Sequence, residues 1–137
     1  SKYITSDFFH ITYGDGLSNV DLNKLINHHN VQKKILTLTA VNPPTKFGEL
    51  IIENSLITSF EEKPKLSKGF INSGFMISDK RIFDFINGDV MLEREPMQEI
   101  CKLGKLNAYV HSGYWQCFDT TKDVRGFRES DYLELIS

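Results

Sequence analysis

Apolar and polar positions form short blocks along the chain that predict strands and helices in turn. Residues 8–13 are aromatic or β-branched and end at a Gly-Asp-Gly turn, which predicts a strand followed by a tight loop. Apolar residues at helical spacing predict a helix from Ser18 or Asn19 to about His29. The run 35–41 predicts another strand, so this first part indicates a parallel crossover unit of strand, helix and strand.

The rest of the chain predicts shorter elements. Runs 49–53 and 56–61 predict a β-hairpin, and run 70–77 predicts a buried strand that a polar Asn-Ser-Gly segment interrupts. A helix from Ser78 or Asp79, a helix with Pro96 near its first turn, strands at 106–111 and 114–118, and a helix from Thr120 or Thr121 follow. No internal repeat or linker is evident, so we predict one α/β domain over residues 1–137.

Composition excludes several classes of function. Of 137 residues, 40% are apolar and 25% are charged, which is typical of a soluble globular protein. The net charge of −2 offers no basic surface for nucleic acid or membrane lipids, and no apolar run approaches the roughly 20 residues that span a bilayer. The first residues lack the apolar core of a secretory signal, and Cys101 and Cys117 form no C-x-x-C pattern. We therefore predict a cytoplasmic protein that binds neither nucleic acid nor membrane.

Two aspartates that follow strand-like runs are candidates for chemistry, although each has a structural alternative. Asp15, between two glycines, is either a metal ligand or a turn residue. Asp119 is either a metal ligand or the cap of the last helix. Similarly, the Asn-Ser-Gly segment at 72–74 is either part of a site or a β-bulge, and the charged pair at 62–63 is either functional or a solvated hairpin end. Adjacent His28 and His29 point in different directions on a helix, and His10 and His111 have no Cys or Glu at ligand spacing, so we expect structural roles for all four and no zinc site.

Six short motifs in a fixed order are more informative than any one of them. They are TYGDG at 12–16, FGEL at 47–50, EKP at 62–64, NSGF at 72–75, EREPM at 93–97 and GYWQCFDTTKD at 113–123. Together they resemble the sugar nucleotidyltransferase family, and within it most closely the glucose-1-phosphate cytidylyltransferases. The resemblance covers essentially the whole chain. It implies the C-terminal portion of a Rossmann-like nucleotidyltransferase fold, with a mixed sheet flanked by helices.

The resemblance also implies a reaction and a cofactor. The expected reaction is nucleotidyl transfer from CTP to glucose-1-phosphate, which gives CDP-glucose and pyrophosphate. Both reactants are anions, so the catalyst must screen charge and hold an in-line geometry, and Mg²⁺ suits this because it prefers carboxylate and phosphate oxygens. By the resemblance, Asp15 and Asp119 bind Mg²⁺. Lys63 neutralises the sugar phosphate, which makes Asp15 and Lys63 the expected catalytic residues.

The same resemblance implies which residues bind the sugar. Glu62 would accept hydrogen bonds from sugar hydroxyls, beside Lys63. Asn72 and the backbone at Gly48 would add directional hydrogen bonds. Gly74 would let the chain approach the substrate, because it has no Cβ.

One element of the family's pattern has no match. The family carries a glycine-rich loop, roughly G-G-x-G-T-R-L, whose backbone N–H groups cradle the triphosphate, and no segment of this sequence resembles it. We therefore expect the chain to supply only the sugar-phosphate and Mg²⁺ side of a site and to be inactive alone. The strand at 8–13 would lack a neighbour, which predicts a homo-oligomer or pairing with a missing N-terminal half.

Two other functions stay open at this point. The first is a non-catalytic truncated homologue that binds sugar phosphate or a protein partner. The second is a Mg²⁺-dependent phosphohydrolase, which is disfavoured because the sequence has no D-x-D nucleophile arrangement.

Overall fold

The computed structural model describes residues 3–43, 49–61 and 69–129. Its elements are β1 (Phe8–Thr12), β2 (Gly16–Ser18), α1 (Leu22–Gln32), β3 (Leu36–Val41), β4 (Glu49–Glu53), β5 (Leu56–Glu61), β6 (Ile71–Asp79), a 3-10 helix (Lys80–Phe85), α2 (Glu95–Lys102), β7 (Leu106–His111), β8 (Trp115–Cys117) and α3 (Thr121–Glu129). All of these elements except β2 were predicted, and they occur in the predicted order. Most of their ends differ from the predicted ones by a few residues at most.

Within the described residues, the main sheet has four strands in the order β1-β6-β3-β7. Strand β6 runs antiparallel to both β1 and β3, whereas β3 and β7 are parallel. The sheet is therefore mixed, and the α/β class with helices beside the sheet is confirmed. The predicted crossover unit differs in one respect. Strands β1 and β3 run in the same direction, but the largely buried β6 lies between them, so they are not neighbours.

Helices lie against both faces of this sheet. On one face, Leu36 of β3 and Met76 of β6 pack with Ile82 of the 3-10 helix and Ile100 of α2 in the main hydrophobic cluster. Successive residues of a strand point to opposite faces, so Thr37 faces away from that cluster, toward His29 of α1. Within the described residues, no helix has both the length and the apolar character needed to cross a membrane.

Helix α1 begins later than predicted. The Asp21 carboxylate accepts a hydrogen bond from the Lys24 backbone N–H at 3.0 Å, so Asp21 is the N-cap. The two predicted caps have other partners. The Ser18 hydroxyl donates to the Tyr114 carbonyl, and the Asn19 side chain contacts His111.

The face beneath α1 contains a series of buried and partly buried hydrogen bonds. The Thr37 hydroxyl donates to Asn107 Oδ1 at 2.7 Å, and it lies 2.7 Å from His29 Nδ1. Since the hydroxyl has only one hydrogen, His29 Nδ1–H is the donor in the second contact. The Asn107 amide then donates to His28 Nε2 at 3.1 Å. Two histidines, a threonine and an asparagine thus serve as hydrogen-bond partners for one another. These four residues are called the histidine network.

The predicted hairpin forms as β4 and β5, which pair antiparallel. Asn54 and Ser55 have φ values of 49° and 69°. Two consecutive turn residues with positive φ match a type I′ turn, whose twist suits two-residue hairpins. Local sequence was therefore sufficient to place this turn.

Candidate functional site

A short two-stranded ribbon, separate from the main sheet, brings the two candidate aspartates together. Strands β2 and β8 pair antiparallel, with Gly16 opposite Cys117 and Ser18 opposite Trp115. The pairing continues past the strands, because the Phe118 backbone N–H donates to the Asp15 carbonyl at 2.9 Å. Asp15 in the turn before β2 and Asp119 in the loop after β8 thus reach the same end of the ribbon.

The side chains at this end form a compact cluster. One potential ligand atom from each of Asp15, Cys117 and Asp119 lies within 4.8 Å of the other two. Both aspartates are exposed, and Cys117 is partly buried. Among the described residues, neither carboxylate has an ion pair. Two exposed carboxylates so close together repel each other and favour a cation between them. These three residues are called the Asp15 cluster below.

Thr120, rather than Asp119, caps the last helix. The Thr120 backbone N–H and hydroxyl both donate to the Asp123 carboxylate, at 2.9 and 2.8 Å. In return, the Asp123 backbone N–H donates to the Thr120 hydroxyl at 3.2 Å. This reciprocal pair is a capping box at the start of α3. The cap of α3 therefore does not use the Asp119 carboxylate, which stays available within the Asp15 cluster.

Cys117 is protonated in this environment. Its thiol donates a hydrogen bond to Asp119 Oδ1 at 3.2 Å. Burial, followed by the hydrogen bond to Asp119 and the negative charge of Asp15, raises the pKa of the Cys117 thiol to about 11. At neutral pH the negative charge of the cluster therefore lies on the carboxylates rather than on sulfur.

A β-bulge in β6 explains the Asn-Ser-Gly segment locally. Leu38 of β3 pairs with Met76, but Ala40 pairs with Asn72, so three residues of β6 lie opposite one residue of β3. The Asn72 side-chain oxygen accepts a hydrogen bond from the Gly74 backbone N–H at 3.0 Å, which stabilises the bulge. The structural alternative considered for this segment therefore describes its conformation, while its role toward a sugar remains a prediction.

Gly74 is required at the bulge for a reason that involves no substrate. Its φ is +85°, and a Cβ at this position would lie 2.9 Å from Cδ2 of the Tyr13 ring. Tyr13 in turn donates its backbone N–H to the Gly74 carbonyl at 3.1 Å. Only glycine combines this backbone conformation with such close packing of an aromatic ring.

The bulge also anchors the ribbon to the main sheet. The Trp115 indole N–H donates to the Ser73 carbonyl at 2.9 Å. Since Trp115 and Cys117 lie two positions apart on β8, this bond fixes the strand that carries the cluster. Trp115 is thus a structural residue of the site rather than an exposed stacking surface.

Tyr13 connects the bulge with a further carboxylate. Its hydroxyl donates to Glu93 Oε1 and is also hydrogen-bonded to the Asn72 side chain. Burial raises the pKa of Tyr13 most strongly, Glu93 and the charge of Asp15 raise it further, and the bond to Asn72 opposes them. Tyr13 therefore stays neutral, and its hydroxyl donates to Glu93 and accepts from the Asn72 amide, close to the Asp15 cluster.

The structure thus groups part of the predicted site. Asp15 and Asp119 lie together, and Asn72 and Gly74 both contact Tyr13, two residues before Asp15. Gly48, Glu62 and Lys63 lie outside the described residues. Their described neighbours Glu49 and Glu61 are cross-strand partners at the open end of the hairpin.

Three residues near the site were not predicted to have a role, although each belongs to one of the six motifs. They are Tyr13, Glu93 and Cys117. Cys117 lies two positions before Asp119, but this spacing places two side chains on the same side only in an extended strand, and β8 ends at Cys117. For Tyr13 and Glu93, 80 positions apart, no sequence spacing could indicate contact.

Comparison with known proteins identifies the family. A family model described as nucleotidyl transferase matches residues 2–123. The chain belongs to the nucleotidyl transferase family. Its similarity to curated nucleotidyltransferases extends over most of its length. It is 38% identical over 125 residues to the glucose-1-phosphate cytidylyltransferase of Salmonella typhi, which covers 90% of the chain and 49% of that protein.

Two further comparisons support the same family and fold. The chain is 37% identical over 124 residues to a probable glucose-1-phosphate cytidylyltransferase of Bacillus subtilis, which covers 89% of the chain and 48% of that protein. The solved structure of HddC from Yersinia pseudotuberculosis superposes with a TM-score of 0.61 at 25% identity, over 91% of this chain and 56% of that one. The chain therefore spans about half the length of the curated nucleotidyltransferases it matches.

Proposed function

We propose that this chain supplies the sugar-phosphate and metal side of a site that transfers a cytidylyl group from CTP to glucose-1-phosphate. The products are CDP-glucose and pyrophosphate. The observation that carries the proposal is the pairing of β2 with β8, which brings the carboxylates of Asp15 and Asp119 together. Family membership supports nucleotidyl transfer, and the similarity to two glucose-1-phosphate cytidylyltransferases supports the choice of substrates.

The donor set fits Mg²⁺. Carboxylate oxygens are the protein ligands that Mg²⁺ prefers, and it usually binds through one or two of them while it keeps water and substrate phosphates. Asp15 and Asp119 provide two carboxylates, and their exposure leaves the remaining coordination positions open. When bound, Mg²⁺ would screen the charge of the reacting phosphates.

The residues around the cluster have positioning roles in this proposal. Trp115 and the bulge hold β8 against the main sheet, so the two carboxylates keep a fixed separation. Neutral Tyr13 keeps Glu93 and Asn72 oriented. Lys63 would neutralise the sugar phosphate, while Glu62, Gly48, Asn72 and Gly74 would bind the sugar, as the family resemblance implies.

The nucleotide side of the site would have to come from elsewhere. Since no glycine-rich phosphate loop occurs in the sequence, we propose that the isolated chain has no turnover. A polypeptide that carries such a loop, added in trans or joined to the chain, should restore turnover. If a joined or added loop restores no activity, the alternative of a non-catalytic homologue that binds sugar phosphate or a protein partner is favoured.

The metal assignment can be tested on the chain by itself. Mn²⁺ is a paramagnetic substitute for Mg²⁺ and broadens the NMR signals of nearby amides. We expect it to broaden the amide signals of residues 15–16 and 117–119 first, and Mg²⁺ to reverse the effect. Asp15→Asn and Asp119→Asn should abolish the broadening, whereas Asp89→Asn, at an exposed carboxylate of another loop, should not. Broadening that is unchanged in both cluster variants would disprove the assignment.

The reaction is tested by pyrophosphate release from CTP and glucose-1-phosphate. The chain alone should release none, and the complemented protein should release it at a rate that falls at least about a hundredfold in Asp15→Asn or Asp119→Asn. Turnover by the chain alone would contradict the requirement for a second part. Full activity of the complemented Asp119→Asn variant would contradict the catalytic role of the cluster.

A further inference from the structure

Cys117 belongs to the proposed metal site although sulfur is a ligand that Mg²⁺ does not prefer. Its sulfur lies 3.2 Å from Asp119 Oδ1, and the potential ligand atoms of Asp15, Cys117 and Asp119 are all within 4.8 Å of one another. Ligands of a tetrahedral zinc ion, with bonds of about 2.0–2.3 Å, lie about 3.5 Å apart. Small rotations of these side chains would therefore let all three contact one ion.

Cys117 is partly buried, and the ribbon pairs it with a residue that has no side chain. The cross-strand partner of Cys117 is Gly16, so no side chain from β2 lies over it. Asp15 and Asp119, on either side, are exposed, so an ion can reach the cluster directly from solvent. The backbone hydrogen bond from Phe118 to Asp15 and the indole bond of Trp115 hold both strands in place before any ion binds.

We propose that Cys117 is a third ligand through which the Asp15 cluster binds thiophilic divalent ions such as Zn²⁺ and Cd²⁺ in competition with Mg²⁺. The inference rests on the proposed function, since it uses the same two carboxylates. It assigns to sulfur a stronger preference for zinc-like ions than two carboxylates alone would give, because soft thiolate ligands select such ions and oxygen ligands suit Mg²⁺.

Coordination changes the protonation of the thiol. The Cys117 thiol releases its proton to solvent as the sulfur–metal bond forms, and the hydrogen bond to Asp119 is exchanged for shared coordination. Three protein ligands leave a fourth position open for water or a phosphate oxygen, as in catalytic zinc sites. An ion held this way occupies the position that Mg²⁺ needs. We therefore expect micromolar Zn²⁺ to displace Mg²⁺ or Mn²⁺ from the cluster.

The chain offers a matched control in its second cysteine. Cys101 is exposed on α2 and belongs to no metal-capable group among the described residues. The test is a titration of the purified chain with Cd²⁺. The ultraviolet charge-transfer absorption of the cadmium–thiolate bond monitors binding. We expect the band in the wild type and in Cys101→Ser, and its loss in Cys117→Ser.

A competition titration measures the selectivity. Loss of even an indirect metal contact commonly costs about 10–100-fold in affinity. The ratio of Zn²⁺ to Mg²⁺ affinity should therefore fall at least about tenfold in Cys117→Ser and stay unchanged in Cys101→Ser. Circular dichroism should show that each variant is folded, and Cys117→Ala serves as a second substitution should Cys117→Ser not fold.

The outcomes separate this inference from the proposed function. A band that persists in Cys117→Ser, or one that is unaffected by both Asp15→Asn and Asp119→Asn, overturns the three-ligand site. Mn²⁺ broadening that needs both aspartates, combined with an unchanged ratio of Zn²⁺ to Mg²⁺ affinity in Cys117→Ser, overturns this inference alone. A cysteine-dependent Cd²⁺ site with no Mg²⁺ or Mn²⁺ binding supports the inference and contradicts the proposed Mg²⁺ role.

Discussion

The Asp15 cluster and the histidine network are two groups of polar side chains that differ in burial and in their hydrogen-bond partners. In the network, buried His29 and Thr37 each use their polar atoms on a neighbour, and Asn107 links them to His28. In the cluster, two exposed carboxylates lie close to each other, and one of them accepts a hydrogen bond from the Cys117 thiol. The first arrangement is complete within the fold, whereas the second leaves negative charge that a bound cation would satisfy.

This difference predicts opposite responses to mutation. A buried hydrogen-bonded group stabilises the fold only while its partners are present, and removal of one partner leaves the others unsatisfied. Carboxylates that repel each other destabilise the metal-free fold, so removal of one carboxylate should remove the repulsion. Network variants should therefore lower the free energy of unfolding, and cluster variants should raise it slightly while they abolish metal binding.

The largest expected effect is that of Thr37→Val. Valine keeps the branched shape that suits β3, but it removes the hydroxyl that accepts from His29 and donates to Asn107. Buried His29 and partly buried Asn107 each lose a partner, at about 1–3 kcal/mol each, so we expect the free energy of unfolding to fall by about 2–4 kcal/mol. Urea denaturation followed by circular dichroism measures it.

The same strand provides the control. Thr39 is also fully buried, but its hydroxyl has no hydrogen-bond partner among the described residues. Thr39→Val should be neutral or stabilising, since it removes an unsatisfied group and leaves none behind. Equal losses in the two variants would show that burial, rather than the network, determines the cost.

The next effect concerns the support of the cluster. Gly74→Ala combines a positive φ with a Cβ only 2.9 Å from the Tyr13 ring. We expect a loss of about 2–3 kcal/mol in unfolding free energy. Gly88→Ala is the matched control, because Gly88 has a φ of +79° but no atom within 4 Å of the added Cβ, and it should cost only about 1 kcal/mol. Similar costs would mean that Tyr13 moves freely, which would remove its proposed positioning role.

The two regions also differ in how far sequence could predict them. The hairpin turn followed from Asn54-Ser55, and each strand of the main sheet followed from its own apolar run, because these signals are local. The insertion of β6 between β1 and β3 did not follow, since strand neighbours depend on long-range packing. The buried partners of His29 were unpredictable for the same reason.

For the site, family resemblance predicted more than periodicity did. Nothing in the spacing of Asp15 and Asp119 implied proximity, and only the motif order suggested that they act together. The structure adds the cause, which is the pairing of β2 with β8. Cys117 was overlooked because its role depends on register, and a three-residue strand is too short to show an alternating pattern.

A smaller expected effect is a dependence of stability on pH, which arises from His29 in the histidine network. The pKa of His29 is lowered, chiefly by burial, and Arg81, His28 and His10 add to the shift while Asp79 opposes it. The fold therefore prefers neutral His29. Its contribution to stability is complete above the unfolded pKa of about 6.5, and it is lost as pH falls from there through the lowered folded pKa.

Unfolding measurements at pH 7.5, 6.5 and 5.5 test this dependence. The wild type should lose stability toward pH 5.5, and His29→Gln should flatten that slope whatever its own stability is. His10→Gln, at an exposed position of β1, should keep most of the slope. A slope that survives in His29→Gln would place the titrating group elsewhere.

The smallest effect is also the one that separates the two regions most clearly, because it should change sign with Mg²⁺. Without metal, Asp119→Asn removes one of two facing carboxylates and leaves the capping box of Thr120 intact. We expect Tm to rise by on the order of 1–2 °C. With saturating Mg²⁺, the wild type gains stability because ligand binding favours the folded state, and the variant does not. Asp89→Asn should shift Tm in neither condition. If Mg²⁺ raised Tm equally in wild type and Asp119→Asn, the facing carboxylates would be a surface feature like any other, and the contrast with the histidine network would lose its functional meaning.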